Sequence, residues 1–439
     1  MVMLQRNTGR EGLPRCARNV TKGVEYVRIL HIIASANLKE GGPIEHAVKA
    51  GHALSRHGHS QEFLTFDAPG SVSEAEVGAT VHALGPPQPR RGWAGKMAST
   101  VLDVPRAARW LRAHGQDYDV AIVSGLWNIS TLTARLALPG SRLPYVLFTH
   151  GMLDPYFKQA NPAKSVVKQA LWLVNEGLLV RRADRVLFTC EEEQHLAAQS
   201  FRPYSARGRV VAFGTADAPS EALAQVGAFR AHTPELGSRR FLLFLSRIHP
   251  KKGLDLLVRA FGIAVRERVV PDDVDLVIAG PDLHGLEREL KDLAAAKGIS
   301  ARIHWPGMLK GAPKWGAFRA AEAFILPSHQ ENFGIVVAEA MACGRPVLLS
   351  NKVNIWREVA ADGAGLIAND TLEGTEDLLR RFFGLSEQER QAMGEDARAA
   401  FLRRYDMESA VKDLEQVLCE VIDGSREPKH AKKLRVSAL

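Results

Sequence analysis

Short apolar runs alternate with segments of helical periodicity along almost the whole chain of 439 residues. This pattern is typical of parallel sheets, whose strands are buried on both faces and are separated by helices. A polar stretch at 215–238 breaks the pattern, which then restarts. The sequence therefore predicts an α/β fold with two doubly wound, Rossmann-like domains, and we interpret 215–238 as the linker between them. The predicted strands are 27–35, 62–66, 118–123, 145–150, 185–189 and 209–213 in the first domain, and 241–246, 274–280, 302–305, 323–327, 347–350 and 365–367 in the second.

Helices are predicted between these strands, including one that opens at Pro43 and two at 254–266 and 335–343. In an open parallel sheet, ligands bind at the carboxyl ends of the strands. Two such sheets in one chain therefore predict a binding site in a central cleft between the domains.

Composition excludes several classes of protein. No stretch approaches the 18 or more apolar residues of a membrane span, and residues 1–26 lack the apolar core of a signal peptide. The four cysteines are widely spaced without a Cys-x-x-Cys pair, which argues against a disulfide framework or a zinc ribbon. We expect a cytoplasmic enzyme. The cysteines are Cys16, Cys190, Cys343 and Cys419.

The net charge of +8 is concentrated at the two ends of the chain. Residues 1–24 and 426–439 each carry a net charge of +4, so the body between them is neutral. We interpret both ends as disordered basic tails that could contact anionic lipid or nucleic acid, although solvated ends are the simpler explanation. Nucleic acid is therefore not an expected partner.

The most informative motif lies at 328–347, where a strand ends at Pro327 and a helix follows Gly334. Glu331 lies in the loop before the helix and Glu339 lies inside it. Carboxylates accept hydrogen bonds from vicinal hydroxyls, so a sugar and a ribose are natural partners, while the first amides of a helix suit a diphosphate. The alternative is a structural helix with a favourable glutamate near its start.

A second motif, at 246–253, follows the first strand of the second domain. Arg247 and Lys252 lie on a turn that contains Pro250, and Gly253 opens the next helix. Two cations at a strand end could neutralise a diphosphate. The alternative is a solvated basic loop.

Two features of the first domain also follow strands. Gly41 and Gly42 form a glycine loop before a helix, without the Gly-x-Gly-x-x-Gly spacing of a dinucleotide site. His150 follows a strand directly and precedes Gly151, which places it at the predicted cleft. A structural role for this histidine stays open at this point.

Together, Glu331-x7-Glu339 and Arg247-x4-Lys252-Gly253 resemble the retaining GT-B glycosyltransferases of family 4. The Glu331-Asn-Phe-Gly sequence and segment 353–356 are most similar to bacterial exopolysaccharide and lipopolysaccharide transferases. Further matches run in family order, so the resemblance covers about residues 27–405. They are 41–42, 57–59, 150–155, 279–281 and 305–307.

The resemblance implies a role for each matched residue. Glu339 would hold the ribose hydroxyls, Glu331 would face the donor sugar, and His150 would lie near the reacting sugar. Arg247 and Lys252 would bind the diphosphate and stabilise it as it leaves. The remaining implied donor-binding residues are Gly41, Gly42, Gly307, Asn332, Phe333, Gly334 and Ile335.

The same resemblance implies an acceptor domain at 25–214, a donor domain at 239–405 and a helix at 406–425 that crosses back to the first domain. It implies a retaining, metal-independent transfer from a nucleotide-diphosphate sugar to a glycan or lipid-linked glycan, with no other cofactor. The absence of an Asp-x-Asp motif beside a predicted strand end agrees with metal independence. The chain departs from the family's pattern in two places. It lacks the usual Pro-Asn-Gly at 210–215, and it has a basic extension at 1–24.

Two other functions stay open. One is a dinucleotide-dependent oxidoreductase, although the glycine cluster at 362–365 precedes a strand where the fingerprint should follow one. The other is a non-catalytic regulator with the same fold that binds a sugar nucleotide or polysaccharide.

Segment 163–182 is amphipathic and flanked by basic residues, as expected if the protein meets a lipid-linked acceptor at the inner face of an anionic membrane. The alternative is a helix that packs on its own sheet.

Overall fold

The computed structural model describes residues 26–88, 92–160 and 162–426. The predicted basic extension at 1–24 lies outside the described residues, as does the predicted basic tail beyond Arg426. Within the described part of the chain, no helix is both long enough and apolar enough to cross a bilayer.

The first domain is built on a seven-stranded sheet with the order β3-β2-β1-β4-β5-β6-β7, and all its strand pairs are parallel. The first six strands have the order of a Rossmann fold. The strands are β1 Arg28–Ile32, β2 Ser60–Thr65, β3 Thr80–Ala83, β4 Val120–Ser124, β5 Tyr145–Phe148, β6 Arg185–Phe188 and β7 Gly208–Val210.

The second domain repeats this arrangement in a six-stranded parallel sheet with the order β10-β9-β8-β11-β12-β13. The prediction of two Rossmann-like, doubly wound domains is confirmed. The strands are β8 Arg240–Leu245, β9 Val274–Ala279, β10 Ile303–Gly307, β11 Ala323–Leu326, β12 Val347–Ser350 and β13 Gly365–Ala368.

Helices connect the strands, and short 3₁₀ and π-helical turns extend several of them. The α-helices are α1 Pro43–Arg56, α2 Glu74–Val77, α3 Gly92–His114, α4 Ile129–Ala137, α5 Tyr156–Ala160, α6 Pro162–Leu171, α7 Gly177–Arg182, α8 Glu191–Ser200, α9 Ala222–His232, α10 Leu254–Arg266, α11 Leu286–Ala296, α12 Gly311–Ala320, α13 Ile335–Ala342, α14 Trp356–Ala361, α15 Leu372–Gly384, α16 Glu387–Ala400 and α17 Met407–Arg426. The 3₁₀ turns are Leu38–Glu40, Gly115–Asp117, Pro234–Leu236, Pro250–Lys252 and Ser300–Arg302, and the π-helical turns are Trp172–Glu176 and Phe401–Tyr405.

Every predicted strand occurs, with ends that differ by up to three residues. The structure adds β3, which the sequence analysis missed. This strand lies at the edge of the first sheet, and none of its residues is buried. An edge strand of this kind lacks the continuous apolar run that identifies a central strand.

The predicted linker, 215–238, contains α9, which belongs to the second domain. Phe229 is fully buried in the core of that domain. A Cβ on Gly316 of α12 would lie 1.9 Å from the Gln225 carbonyl oxygen, and Arg319 donates to the Gln225 side chain at 2.8 Å. Only Gln225 and Phe229 of α9 are buried, so its sequence lacks the repeated apolar positions that would predict a packed helix.

The chain crosses between the domains twice at the same place. Thr215 pairs with Asp406, and its amide donates to the Tyr405 carbonyl at 2.8 Å. After this crossing, α17 packs on the first domain, where Leu414 and Leu418 share a core cluster with residues of β1 and β4. The two crossings hold the domains in a fixed relation at one side of the cleft.

Candidate active site

Several predicted site residues follow the strands that flank the point where the strand order of each sheet reverses, whereas His150 follows β5 and Gly307 ends β10. In the first sheet this point lies between β1 and β4, and in the second it lies between β8 and β11. Helices leave opposite faces of the sheet there, which opens a crevice at the carboxyl ends of the strands. The two crevices face each other across the cleft.

Lys252 and Glu331 form an ion pair in the donor-domain crevice. Gly253 makes their approach possible, because a Cβ there would lie 2.1 Å from the Pro327 carbonyl oxygen. Lys252 is only 8% exposed. Burial lowers the pKa of Lys252 to about 8, and the positive charges of Arg247 and Lys251 act in the same direction. The crevice therefore contains a compact cation beside a carboxylate.

Glu339 lies in α13 and is 7% exposed. Lys314 of α12 donates to its Oε1 at 2.5 Å, whereas its Oε2 has no hydrogen-bond partner among the described residues. An unpartnered buried carboxylate oxygen is costly without a ligand, so this atom can accept a hydroxyl.

The loop that leads into α13 lies against the first domain. Gly334 has φ of +72° and caps the helix, and Ile335 is its first residue. Phe333 is 5% exposed and packs against Phe213 of the first domain, with ring centroids 5.5 Å apart. This aromatic contact anchors the helix start beside the domain crossing.

His150 adopts a left-handed backbone conformation, with φ of +49°. Its ring stacks on Phe148 at 5.1 Å, and its Nε2 is buried without a hydrogen-bond partner among the described residues. Burial lowers the pKa of His150 to about 4, so the ring is neutral at pH 7. A neutral ring with a free nitrogen can exchange a hydrogen bond with a sugar hydroxyl.

The His150 loop touches the Glu331 loop directly. Gly151 has φ of +74°, and a Cβ there would lie 2.5 Å from the Cγ of Asn332. His150 and Glu331 thus lie in neighbouring loops of one cleft, as the sequence predicted.

Glu193 links the two loops, and the sequence analysis did not identify it. Its Oε1 accepts hydrogen bonds from the Thr149 hydroxyl and the Gly151 amide, both at 2.6 Å. Its Oε2 accepts from the amide and hydroxyl of Thr189, at 2.7 and 2.6 Å, and from Asn332 Nδ2 at 3.4 Å. This buried carboxylate therefore fixes the backbone on both sides of His150.

Two further contacts close the cleft. Gln330 donates to Asp154 Oδ2 at 3.0 Å, and both side chains are buried. The Lys251 ammonium lies 4.9 Å and 4.8 Å from the ring centroids of Tyr156 and Phe157. The two domains are therefore in contact across the cleft in this structure.

The other predicted residues have open surroundings. Arg247 is exposed at the end of β8. Gly41, Gly42 and Gly307 all have positive φ angles, and a Cβ on any of them would meet nothing within 4 Å. The positive φ angles explain why glycine occupies these turns, while the open space in front of them is room for a ligand.

Lys314 and Glu193 gave no signal in the sequence. Lys314 belongs to no motif that the sequence singles out, and only the fold brings α12 against α13. Glu193 is the third of three successive glutamates at the start of α8, a position that acidic residues favour for helix stability alone.

Three buried histidines predict an acid-sensitive first domain. Burial lowers the pKa of His31 and His150 to about 4 and that of His46 to about 3. The unfolded chain binds protons at these sites below pH 6.5 and the folded protein does not, so stability is lost as pH falls from 6.5 toward 4. Each histidine contributes up to about 1.4 kcal/mol per pH unit.

We expect His31→Leu to reduce the difference in urea-unfolding midpoint between pH 7 and pH 5. The variant removes one of the three histidines that take up a proton when the protein unfolds at acid pH. His284→Leu, in the other domain, is the control. An unchanged pH dependence in His31→Leu would show that His31 titrates alike in the folded and unfolded states.

Two facing Rossmann-like sheets with a cation and carboxylate site between them define a transferase fold of the GT-B class. The family model of glycosyl transferases group 1 matches residues 227–400, and that of the glycosyl transferase 4-like domain matches residues 41–214. The chain therefore belongs to the group 1 glycosyltransferases, as the resemblance in its motifs implies.

Curated relatives match over part of their length. A D-inositol 3-phosphate glycosyltransferase of Salinispora tropica is 33% identical over 204 residues, which cover 45% of this chain and 41% of the relative. That of Kribbella flavida is 32% identical over 263 residues, which cover 57% of this chain and 59% of the relative. The chain thus spans from about two fifths to three fifths of these two relatives.

Solved structures share the fold over nearly the whole chain. Anabaena HepE in complex with UDP and glucose has a TM-score of 0.67 at 18% identity and covers 90% of this chain and 100% of its own. A glycosyltransferase from Rickettsia africae has a TM-score of 0.70 at 12% identity and covers 90% and 99%.

Proposed function

We propose that this protein is a retaining glycosyltransferase that moves a sugar from a nucleotide-diphosphate sugar to a glycan or lipid-linked glycan. We place the reaction in the cytoplasm, in the synthesis of bacterial surface polysaccharide. The observation that carries the proposal is the ion pair of buried Lys252 with Glu331 in a loop that touches the His150 loop, where Nε2 of His150 has no hydrogen-bond partner among the described residues.

In the reaction that we propose, each residue of the site has a separate role. The acceptor oxygen bonds to the anomeric carbon as the bond to the diphosphate breaks, on the same face, and the acceptor proton goes to the departing phosphate oxygen. Lys252, Arg247 and the first amides of α13 meet the negative charge that develops on the diphosphate. We propose that these groups replace a metal ion. His150 and Glu331 orient the donor sugar.

We propose a uridine nucleotide as the donor. Neighbours of the same fold bind UDP and UDP-glucose. Glu339 Oε2 is the atom that we assign to a ribose hydroxyl, because it is a buried acceptor of α13 that lacks a partner among the described residues.

A donor screen by thermal shift tests the proposal, with UDP- and GDP-sugars at equal concentration. A bound donor raises the melting temperature by mass action. Transfer is then assayed with and without EDTA. We expect activity to survive EDTA. Activity that EDTA abolishes and Mg²⁺ or Mn²⁺ restores would contradict metal independence, and donor binding without any sugar transfer or donor hydrolysis would favour the non-catalytic regulator.

The two carboxylates are expected to respond differently to substitution. Glu339→Gln should weaken nucleotide binding by about ten- to a hundredfold, since a charge-assisted hydrogen bond is worth roughly 1.5–3 kcal/mol. Glu331→Gln should mainly reduce kcat, because this carboxylate faces the donor sugar. Calorimetric titration with UDP and steady-state kinetics separate the two effects. Equal losses of UDP affinity with normal turnover would contradict this division of roles.

We further propose contact with an anionic membrane through segment 163–182. Its outer side is apolar, with Val166 73% exposed and Val174 67% exposed. Lys164 and Lys168 lie on the same helix, a pattern that suits an anionic interface. This side does not pack on the sheet. The exposed apolar residues are Val166, Val167, Leu171, Leu173 and Val174.

We expect the protein to float with anionic liposomes and less with neutral ones. Val166→Asp combined with Val167→Asp should reduce flotation at least tenfold. Leu223→Asp is the matched control, because Leu223 is 90% exposed in α9 of the other domain. Equal flotation of both variants, or no dependence on lipid charge, would contradict the membrane contact.

A further inference from the structure

A cavity of about 900 Å³ opens at the carboxyl end of the first sheet. Glu40 of the glycine loop and Asp67 after β2 form one side. Trp127 after β4 and the π-helical turn Trp172–Glu176 form the other. The cavity therefore lies at the point where the strand order of this sheet reverses, which is where open α/β sheets bind ligands.

The cavity wall contains two uncommon backbone conformations. Trp127 has φ of +63°, a strained angle for a residue with a bulky side chain. The turn opposite is π-helical, a form that occurs frequently at functional sites. The Trp127 amide donates to Glu176 Oε1 at 3.0 Å, which ties the two features together. Such conformations persist where surrounding contacts enforce them.

Glu176 and Asn175 present buried acceptors that lack partners. Glu176 is 3% exposed, and its Oε1 also accepts from the Thr131 hydroxyl at 2.9 Å and Asn175 Nδ2 at 3.2 Å. Its Oε2 has no hydrogen-bond partner among the described residues, nor does Asn175 Oδ1. A buried acceptor left unpaired is costly. A ligand that donates hydrogen bonds would satisfy both Glu176 Oε2 and Asn175 Oδ1.

The charge of the cavity restricts that ligand. The charged residues among its described lining are carboxylates, namely Glu40, Asp67, Asp103 and Glu176. Two cations among the described residues lie beside this lining, and each contacts one of its residues. Arg106 pairs with Asp103 at 3.2 Å, and the Lys168 ammonium lies 5.0 Å from the centroid of the Trp127 ring. A phosphorylated ligand is disfavoured, whereas a neutral polyol is not.

The remaining wall is apolar and continues to the protein surface. Ile129 and Leu132 line the interior. Leu171 and Val174 line the cavity mouth and are also exposed on the outer side of segment 163–182. An apolar chain leaving the cavity would pass directly onto this exposed surface.

We propose that this cavity is the acceptor site and that it takes an uncharged sugar attached to a hydrocarbon chain. The sugar hydroxyls donate to Glu176 Oε2 and Asn175 Oδ1, and the chain leaves over Leu171 and Val174. This inference rests on the proposed function. The cavity wall adjoins the His150 loop, since Trp127 Nε1 donates to the Met152 carbonyl of that loop at 3.4 Å, and we assign the reacting hydroxyl to this side of the cavity.

Direct binding tests the inference without any donor. The probes are octyl glucoside, octyl galactoside and octyl mannoside below their micellar concentrations, the matching methyl glycosides, and inositol 3-phosphate. We expect at least one octyl glycoside to bind at least tenfold more tightly than its methyl counterpart, and inositol 3-phosphate not to bind.

Two variants locate the binding. Glu176→Gln keeps the shape and the Oε1 contacts but turns Oε2 into a donor, so affinity for the octyl glycoside should fall at least tenfold. Val174→Asp should remove the advantage of the octyl over the methyl glycoside, and Leu223→Asp should leave it unchanged. All three variants should bind UDP normally.

The outcomes are distinct. UDP binding with no octyl glycoside binding, or octyl glycoside binding that both Glu176→Gln and Val174→Asp leave intact, overturns the assignment of the cavity and leaves the proposed function standing. Binding of inositol 3-phosphate in preference to the octyl glycosides also overturns it. Absence of UDP- and GDP-sugar binding refutes the proposed function itself.

Discussion

Lys252→Met is expected to lower kcat/KM by roughly 100- to 1000-fold, the loss typical of removing one preorganised donor to a developing negative charge. The ammonium is a compact point charge in a buried crevice, where its field is weakly screened. Diphosphate gains charge as it departs, so the interaction is stronger in the transition state than with bound donor. Steady-state kinetics with the donor found by thermal shift measure the effect.

The structure changes one part of this prediction. The sequence alone gives no reason for Arg247 or Lys252 to be buried, so it predicts that replacing either residue barely changes the melting temperature. Lys252 is buried against Glu331, and its loss leaves that carboxylate without its cation, so we now expect the melting temperature of Lys252→Met to fall. Exposed Arg247 gives the cleaner test, and Arg247→Ala should lose about ten- to a hundredfold in kcat/KM with little change in melting.

Lys252→Arg should rescue poorly, because a planar guanidinium does not occupy the place of a point charge. Lys291→Met is the control, since Lys291 is an exposed lysine of the same domain. Near-normal activity in both Lys252→Met and Arg247→Ala would show that another group, such as a metal ion, meets the diphosphate charge.

Glu193→Gln is expected to reduce kcat by about ten- to a hundredfold through the position of His150. The carboxylate accepts from two backbone amides, those of Gly151 and Thr189, one on each oxygen. A glutamine side chain has a single acceptor oxygen, so one of these amides must face an NH₂ group. Either orientation disturbs the backbone beside His150 or the contact with Asn332.

Glu193→Gln should also lower the free energy of unfolding by about 1–3 kcal/mol, the cost of an unsatisfied buried donor. A merely structural role predicts this loss alone, whereas a positioning role adds a fall in kcat at unchanged UDP affinity below the melting transition. Glu191→Gln is the matched control, because Glu191 lies on the same helical turn and is exposed. Normal kcat in Glu193→Gln would contradict the positioning role.

The strand pattern was predictable because burial on both faces leaves continuous apolar runs in the sequence. The elements that escaped prediction lack that signal. Strand β3 is an edge strand without a buried residue, and α9 is a helix whose apolar contact is concentrated at Phe229. Both depend on contacts with distant segments for their place in the fold.

The residues of the candidate site also fall into a group that the sequence predicts and a group that it does not. Glu331, Arg247, Lys252 and His150 lie in loops that follow predicted strands, and Glu339 lies in the helix that the Glu331 loop leads into. The positions of these residues in the sequence therefore indicate the ligand-binding edge of the sheet without any distant contact. Lys314, Glu193 and Glu176 act through partners far away in sequence. Lys314 meets Glu339 over 25 positions, and Glu176 meets Thr131 over 45.

By itself, the sequence determined two parallel α/β domains, the cleft between them, the motifs that line its edges and the family. These features are local, since periodicity, glycine turns and strand ends are properties of short segments. Only the tertiary structure decided which buried atoms have partners. Lys252 pairs with Glu331 and Lys314 with one oxygen of Glu339, whereas the other oxygen of Glu339 and one oxygen of Glu176 have no partner in the described part of the chain. Burial and hydrogen-bond satisfaction depend on atoms that the fold brings together from separate segments, and no short stretch of sequence contains them.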